Sequence, residues 1–275
     1  MAGIPHRIDA TGDASPRRLW MLPFFAGSLV LLFLAAPWPL EQKAHVVLHG
    51  LCAQRPSHSF QLGGQTLPFD ARMTGIYGGF LGSAIYLALR HRLRAAALPS
   101  WPTMGVLAAF IGLMALDGTN SLLLDLRAWH PYEPDNRLRL LTGLMTGVAL
   151  AAALAFLVGS TLWRRPRLDR RVVTSPVEPL LMLALQAPFA LMVVSGRGWL
   201  YVPVTLLLVI GAAAALASLM LAVILLVRGA DNSFDTLTQA DGYAAAALFA
   251  GVGVMVVFSC GRFLLERLTG APPLT

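Results

Sequence analysis

Charge is scarce in this chain. Asp, Glu, Lys and Arg together make up 13% of its 275 residues, against about 25% in soluble domains. Hydrophobic residues reach 56% and the mean hydropathy is +0.66. So little polar surface cannot cover a globule in water, which excludes a soluble fold. Cysteine is scarcer still: Cys52 and Cys260 are too few for a disulfide scaffold or a CxxC-type zinc site. A GxSxG elbow, a P-loop and an HExxH motif are all absent. Ser, His and Asp occur at no spacing that singles out a triad, so the sequence gives no reason to expect an enzyme. The net charge of +7 comes without any RNA- or DNA-binding motif. It reads as basic anchors on cytoplasmic loops, with no nucleic-acid partner.

Long apolar runs are what the chain has instead. A helix needs about 20 apolar residues to cross the hydrocarbon core, and lipid obliges each segment to satisfy its own backbone hydrogen bonds. The runs fall at about 19–38, 73–89, 102–124, 138–162, 177–194, 199–227 and 242–260. The expected fold is therefore all-α, a polytopic membrane bundle of about seven transmembrane helices. It forms one domain over residues 19–268, behind a disordered cytoplasmic tail at 1–18. The first run has basic residues ahead of it and "LAAP" near its end, as a signal peptide does, but its apolar stretch is long for one. Gln186 and Pro188 interrupt the fifth run and predict a kink. The densest basic runs, "RHRLR" (90–94) and "RRPRLDRR" (164–171), resist translocation. With Arg7, Arg17, Arg18 and Arg228 they put the N-terminus in the cytoplasm and the C-terminus outside.

The outer ends of spans two, three and four then collect polar side chains. Asp70 and Arg72 open span two, Asp117 and Asn120 close span three, and Asn136, Arg137 and Arg139 open span four. Charges at that depth seek partners. Trp101 marks the inner interface of span three, and Asp117, about 24 Å further along at 1.5 Å per residue, lies near the outer boundary. Gly75 and Gly79, the offset pair Gly78 and Gly82, and Gly143 and Gly147 repeat small residues every fourth position. Such faces let two helix backbones approach closely and would bring spans two and four together at these ends. A separate candidate is the face of "HVVLHGLC", a short interfacial helix. His45, His49 and Cys52 are zinc or copper ligand types, with His58, Asp70 or His130 to complete a shell. Solvated polar residues on an amphipathic helix explain the same spacing. A Cys52–Cys260 disulfide is a further alternative.

"LCAQRPSHSFQLGGQTLPFDARMTGIYGGFLG", with "LDGTNSLLLDL" and "DNRLRLLTGLMTG", resembles an uncharacterised prokaryotic membrane family, domain of unknown function 2085, over about residues 45–150. Cys52, Gln54, Arg72, Thr74, Gly75, Tyr77, Asp117, Asn136, Arg139 and Gly143 fit its pattern. Ala53 stands at a histidine position of that pattern, and Asp70 and Met73 stand at cysteine positions. The resemblance implies a multi-pass protein of the inner cell membrane and no particular activity. Three functions stay open. The leading expectation is a non-catalytic accessory or structural membrane subunit, without a cofactor. The second is binding of an anionic lipid or amphiphile, with Arg72, Arg137 and Arg139 meeting phosphate or carboxylate and Asp70 and Asp117 orienting them. The third is a metal or redox site at His45, His49 and Cys52. Membrane lipids and another membrane protein are the expected partners.

Overall fold

A computed structural model describes residues 20–270, and helices dominate it. The tail read as residues 1–18, with Arg7, Arg17 and Arg18, lies outside the described residues. In chain order come α1 (Met21–Ala35), α2 (Leu40–Leu48), β1 (Gln61–Leu62), β2 (Gln65–Thr66), α3 (Ala71–Leu89), β3 (Ala95–Ala97) and α4 (Trp101–Asp125). These are followed by α5 (Asn136–Leu162), β4 (Arg167–Arg171), α6 (Val177–Ala184), α7 (Ala187–Val194), α8 (Tyr201–Val227) and α9 (Asp241–Thr269).

Five segments are long and apolar enough to cross a membrane: α4, α5, Val177–Val194, Gly198–Val227 and α9. The expected count was about seven. Helix α1 has 15 residues, short for a crossing on its own. Helix α3 has 19, but four glycines and two tyrosines dilute its apolarity. The kink expected in the fifth run is present as a break between α6 and α7, with Gln186 between them and Pro188 in the first turn of α7. The last helix runs nine residues beyond its expected end, from 260 to 269, because "GRFLLERLT" continues the helical pattern. Leu31, Leu32, Leu116, Leu191, Val257 and Phe258 all point outward, the arrangement of helices solvated by lipid tails.

Helices α3 and α5 form the centre, and glycine explains how. A methyl group on Gly79 would sit 2.8 Å from the Leu144 carbonyl oxygen, and one on Gly147 would sit 2.5 Å from that of Ile76. Gly75 and Gly143 face each other in the same seam. The small-residue faces read from the sequence are thus the faces in contact. The offset glycines serve another neighbour: Gly78 lies against the Phe189 ring and Gly82 against the Gln186 side chain.

The connections gather at two ends. At one, β3 pairs in parallel with β4. Trp163 Nε1 donates to the Leu93 carbonyl at 2.7 Å, Asn232 N donates to Thr161 at 2.7 Å, and Arg164 pairs with Asp235 at 3.1 Å. This end carries Arg90, Arg92, Arg94, Arg164, Arg165, Arg167, Arg170, Arg171 and Arg228. It also holds the start of α1, whose Trp20, Met21 and Leu22 N–H groups all donate to the Asp241 carboxylate at 2.7–3.0 Å. At the opposite end, β1 and β2 form a hairpin through Gly63 and Gly64, both at positive φ, as a tight two-residue turn requires. There the tips of α3, α4 and α5 converge.

Candidate functional site

Asp70 begins the site, but it acts as a helix cap. It is the N-cap residue of α3, and its Oδ1 accepts the Met73 N–H at 2.8 Å. Aspartate is among the best residues for that position. The carboxylate therefore meets a backbone donor and forms no ion pair with Arg72.

Arg72, two residues on, reaches across to α4. Its Nη2 donates to Asp117 Oδ2 at 2.6 Å and to Ser121 Oγ at 3.3 Å. The Asp117 side chain is 2% exposed and that of Arg72 is 22% exposed. Asp117 Oδ1 accepts the Tyr132 hydroxyl at 3.0 Å, and Thr142 Oγ1 approaches Oδ2 at 3.5 Å. Burial, reinforced by this bond to Asp117, pushes the Tyr132 phenol above its ordinary value. The loop bearing Tyr132 is latched by Asn120, whose Nδ2 donates to the Tyr132 carbonyl at 2.8 Å. Asp117 is thus ringed by donors from α3, α5 and the α4–α5 loop.

Arg139, on the first turns of α5, is different. It is 5% exposed. Its Nη1 donates to Asn136 Oδ1 at 2.8 Å and its Nη2 lies 3.5 Å from Ser121 Oγ and from His58 Nε2. Among the described residues it has no carboxylate partner. Its Nε, like that of Arg72, is buried without an acceptor. Asn136 in turn donates to the Ser57 carbonyl at 3.1 Å. Burial and the neighbouring Arg139 charge pull the His58 imidazole below its usual range. An exposed Arg55–Asp125 pair at 2.5 Å closes the rim.

Of the seven residues singled out, Arg72, Asp117, Asn120, Asn136 and Arg139 meet in one network. Arg137 is exposed on the far side of its helix turn, and Asp70 is spent on its cap. Ser121 and Tyr132 join unforeseen. Tyr132 stands in a polar, proline-containing loop, and an aromatic among such residues was the available signal. Beside the network a cleft of about 300 Å³ opens between α4 and α5, lined by Leu113, Leu116, Leu138 and Leu141 with Asp117 and Tyr132 at its polar end.

The three metal-type residues have separate engagements. His45 Nδ1 bonds to the Glu41 carbonyl at 2.8 Å, and His49 is held between Gln54 at 2.9 Å and Glu266 at 2.9 Å. Cys52 Sγ accepts the Gln54 and Asp70 N–H groups at 3.3 Å each. Burial is the main reason its thiol is pushed up to about 12, so it stays protonated and is a poor ligand. Helix α2 ends at Leu48 and gives way to a tighter 3-10 turn at His49–Leu51, which spoils the shared helical face. Among the described residues no three such side chains are placed to hold an ion. Both cysteines are free, which corrects the disulfide alternative.

Residues 52–153 match the family model described as "Predicted membrane protein (DUF2085)". This stretch is similar to that family. It contains α3, α4, the first two-thirds of α5 and every member of the Arg72–Asp117–Arg139 network, whereas His45 and His49 precede it. Asp70 N donates to Cys52 Sγ at 3.3 Å, and the Asp70 carboxylate caps the turn holding Met73. No curated protein and no solved structure matches the chain.

Proposed function

We propose that this membrane protein binds the anionic headgroup of a membrane amphiphile at the α3–α4–α5 tip. The observation that carries the reading is Arg139, a buried guanidinium with no carboxylate partner among the described residues and an unpaired Nε. A buried charge without a counter-ion is costly, and a guanidinium is the side chain suited to planar, bidentate recognition of phosphate or carboxylate. The apolar cleft between α4 and α5 supports an amphiphile over a free anion, since its leucine lining adjoins the network at Asp117 and Tyr132.

In this reading the chain crosses the inner cell membrane seven times. The arginine-rich end lies in the cytoplasm with the N-terminus, and the C-terminus lies outside. Nine arginines at one end support that orientation. The placement of the α1 start beside the α9 start, with the α9 tip at the other end, supports an odd number of crossings.

Native mass spectrometry of gently extracted protein tests the binding. The wild type retains anionic lipid; Arg139→Gln loses it while remaining folded. An accessory subunit has no such requirement. It predicts equal lipid content in the two forms and a protein partner that co-purifies with both, and that result would overturn the proposal.

A further inference from the structure

We propose, on the reading that Arg139 holds an anion, that His58 takes up a proton from solvent when that anion binds, so that occupancy of the site is linked to pH. His58 closes the 3-10 turn Pro56–His58 and is half-buried, with its Nε2 3.5 Å from Arg139 Nη2. A guanidinium offers donors only. The imidazole nitrogen facing it therefore presents its lone pair, and the ring is neutral while it faces the guanidinium alone.

The charged groups facing His58 come from four segments: Arg139 on α5, Arg55 on its own loop, Asp125 at the end of α4 and Asp70 at the start of α3. Of the four, Arg139 weighs most. The two carboxylates are already engaged, Asp125 by Arg55 at 2.5 Å and Asp70 by the Met73 N–H at 2.8 Å. Protonating His58 by itself thus places a third cation beside Arg139 and Arg55. An anion seated on Arg139 reverses this balance, because it adds negative charge next to the ring and offers an acceptor to Nε2–H. Linkage then works both ways: whatever factor the anion adds to proton affinity at His58, the proton adds to anion affinity.

The test uses the full chain in detergent micelles and phosphatidylglycerol as probe, because its phosphodiester keeps one negative charge between about pH 5.5 and pH 8. Wild-type protein binds it several-fold more tightly at the lower pH, approaching the tenfold limit that a one-unit rise at His58 sets. His58→Gln shows no gain on acidification. Should that variant fail to fold, the His58 ring is followed by NMR in the wild type, where the probe raises its midpoint. Binding that requires Arg139 yet is flat with pH overturns the linkage and leaves the anion site standing. The same holds if His58→Gln keeps the pH dependence, or if the ring midpoint does not move. Equal binding by wild type and Arg139→Gln at both pH values removes the anion site itself, a separate result.

Discussion

The two ends of this bundle use arginine in opposite ways. At the β3–β4 end the guanidiniums are mostly exposed, and those that bond do so to carbonyls or exposed carboxylates: Arg92 to Arg171, Arg94 and Arg164 to Asp235. At the α3–α5 end Arg72 and Arg139 are drawn inward, between helices, and make side-chain bonds in a confined space. The same residue type is solvated by water and headgroups at one end and held between helices at the other. Exposed ion pairs contribute roughly 0–1 kcal/mol, whereas a buried partner removed is costly. The contrast in burial therefore becomes a contrast in what substitution does.

The strongest way to break the contrast is to separate α3 from α5. Gly143→Leu puts a side chain against the Arg72 backbone oxygen. We expect loss of the folded protein, read as aggregation in size-exclusion chromatography after extraction. Next in size is Asp117→Asn, which leaves the Arg72 guanidinium without its counter-ion. It should cost about 3 kcal/mol, measured by thermal or denaturant unfolding in detergent. The Asp117→Leu, Arg72→Met double variant should recover part of that loss. Asp241→Asn removes the charge that caps three N–H groups at the start of α1 and should loosen that end of the helix, seen as faster hydrogen exchange at residues 20–24. Smallest of all, Arg170→Gln at the exposed end should change stability by less than about 0.5 kcal/mol.

How much of this was legible in the sequence follows from range. Helix positions came from local apolar runs, and "PFDARM" already contains the signal for an α3 start, an aspartate ahead of a helical stretch. The α3–α5 seam was legible too, because Gly75, Gly79, Gly143 and Gly147 write their contact in their spacing. Long-range polar partners were not. Nothing near Arg139 in sequence says that it lacks a carboxylate, since Asp135 lies just four residues away and still does not pair with it. Tyr132 reaches Asp117 only because the α4–α5 loop folds back onto Asn120. The short strands β3 and β4 were invisible for a similar reason: "RLDRR" has no strand pattern of its own and extends because it lies along 95–97.

The account rests on anion recognition at the buried tip and not at the exposed arginine end. The direct measurement is titration of the detergent-solubilised protein with phosphatidylglycerol. It compares Arg139→Gln with a variant in which Arg165, Arg170 and Arg171 are all changed to glutamine. The account predicts that Arg139→Gln weakens binding about tenfold or more while the triple variant binds like wild type. Weakened binding in the triple variant, with Arg139→Gln unaffected, would contradict it.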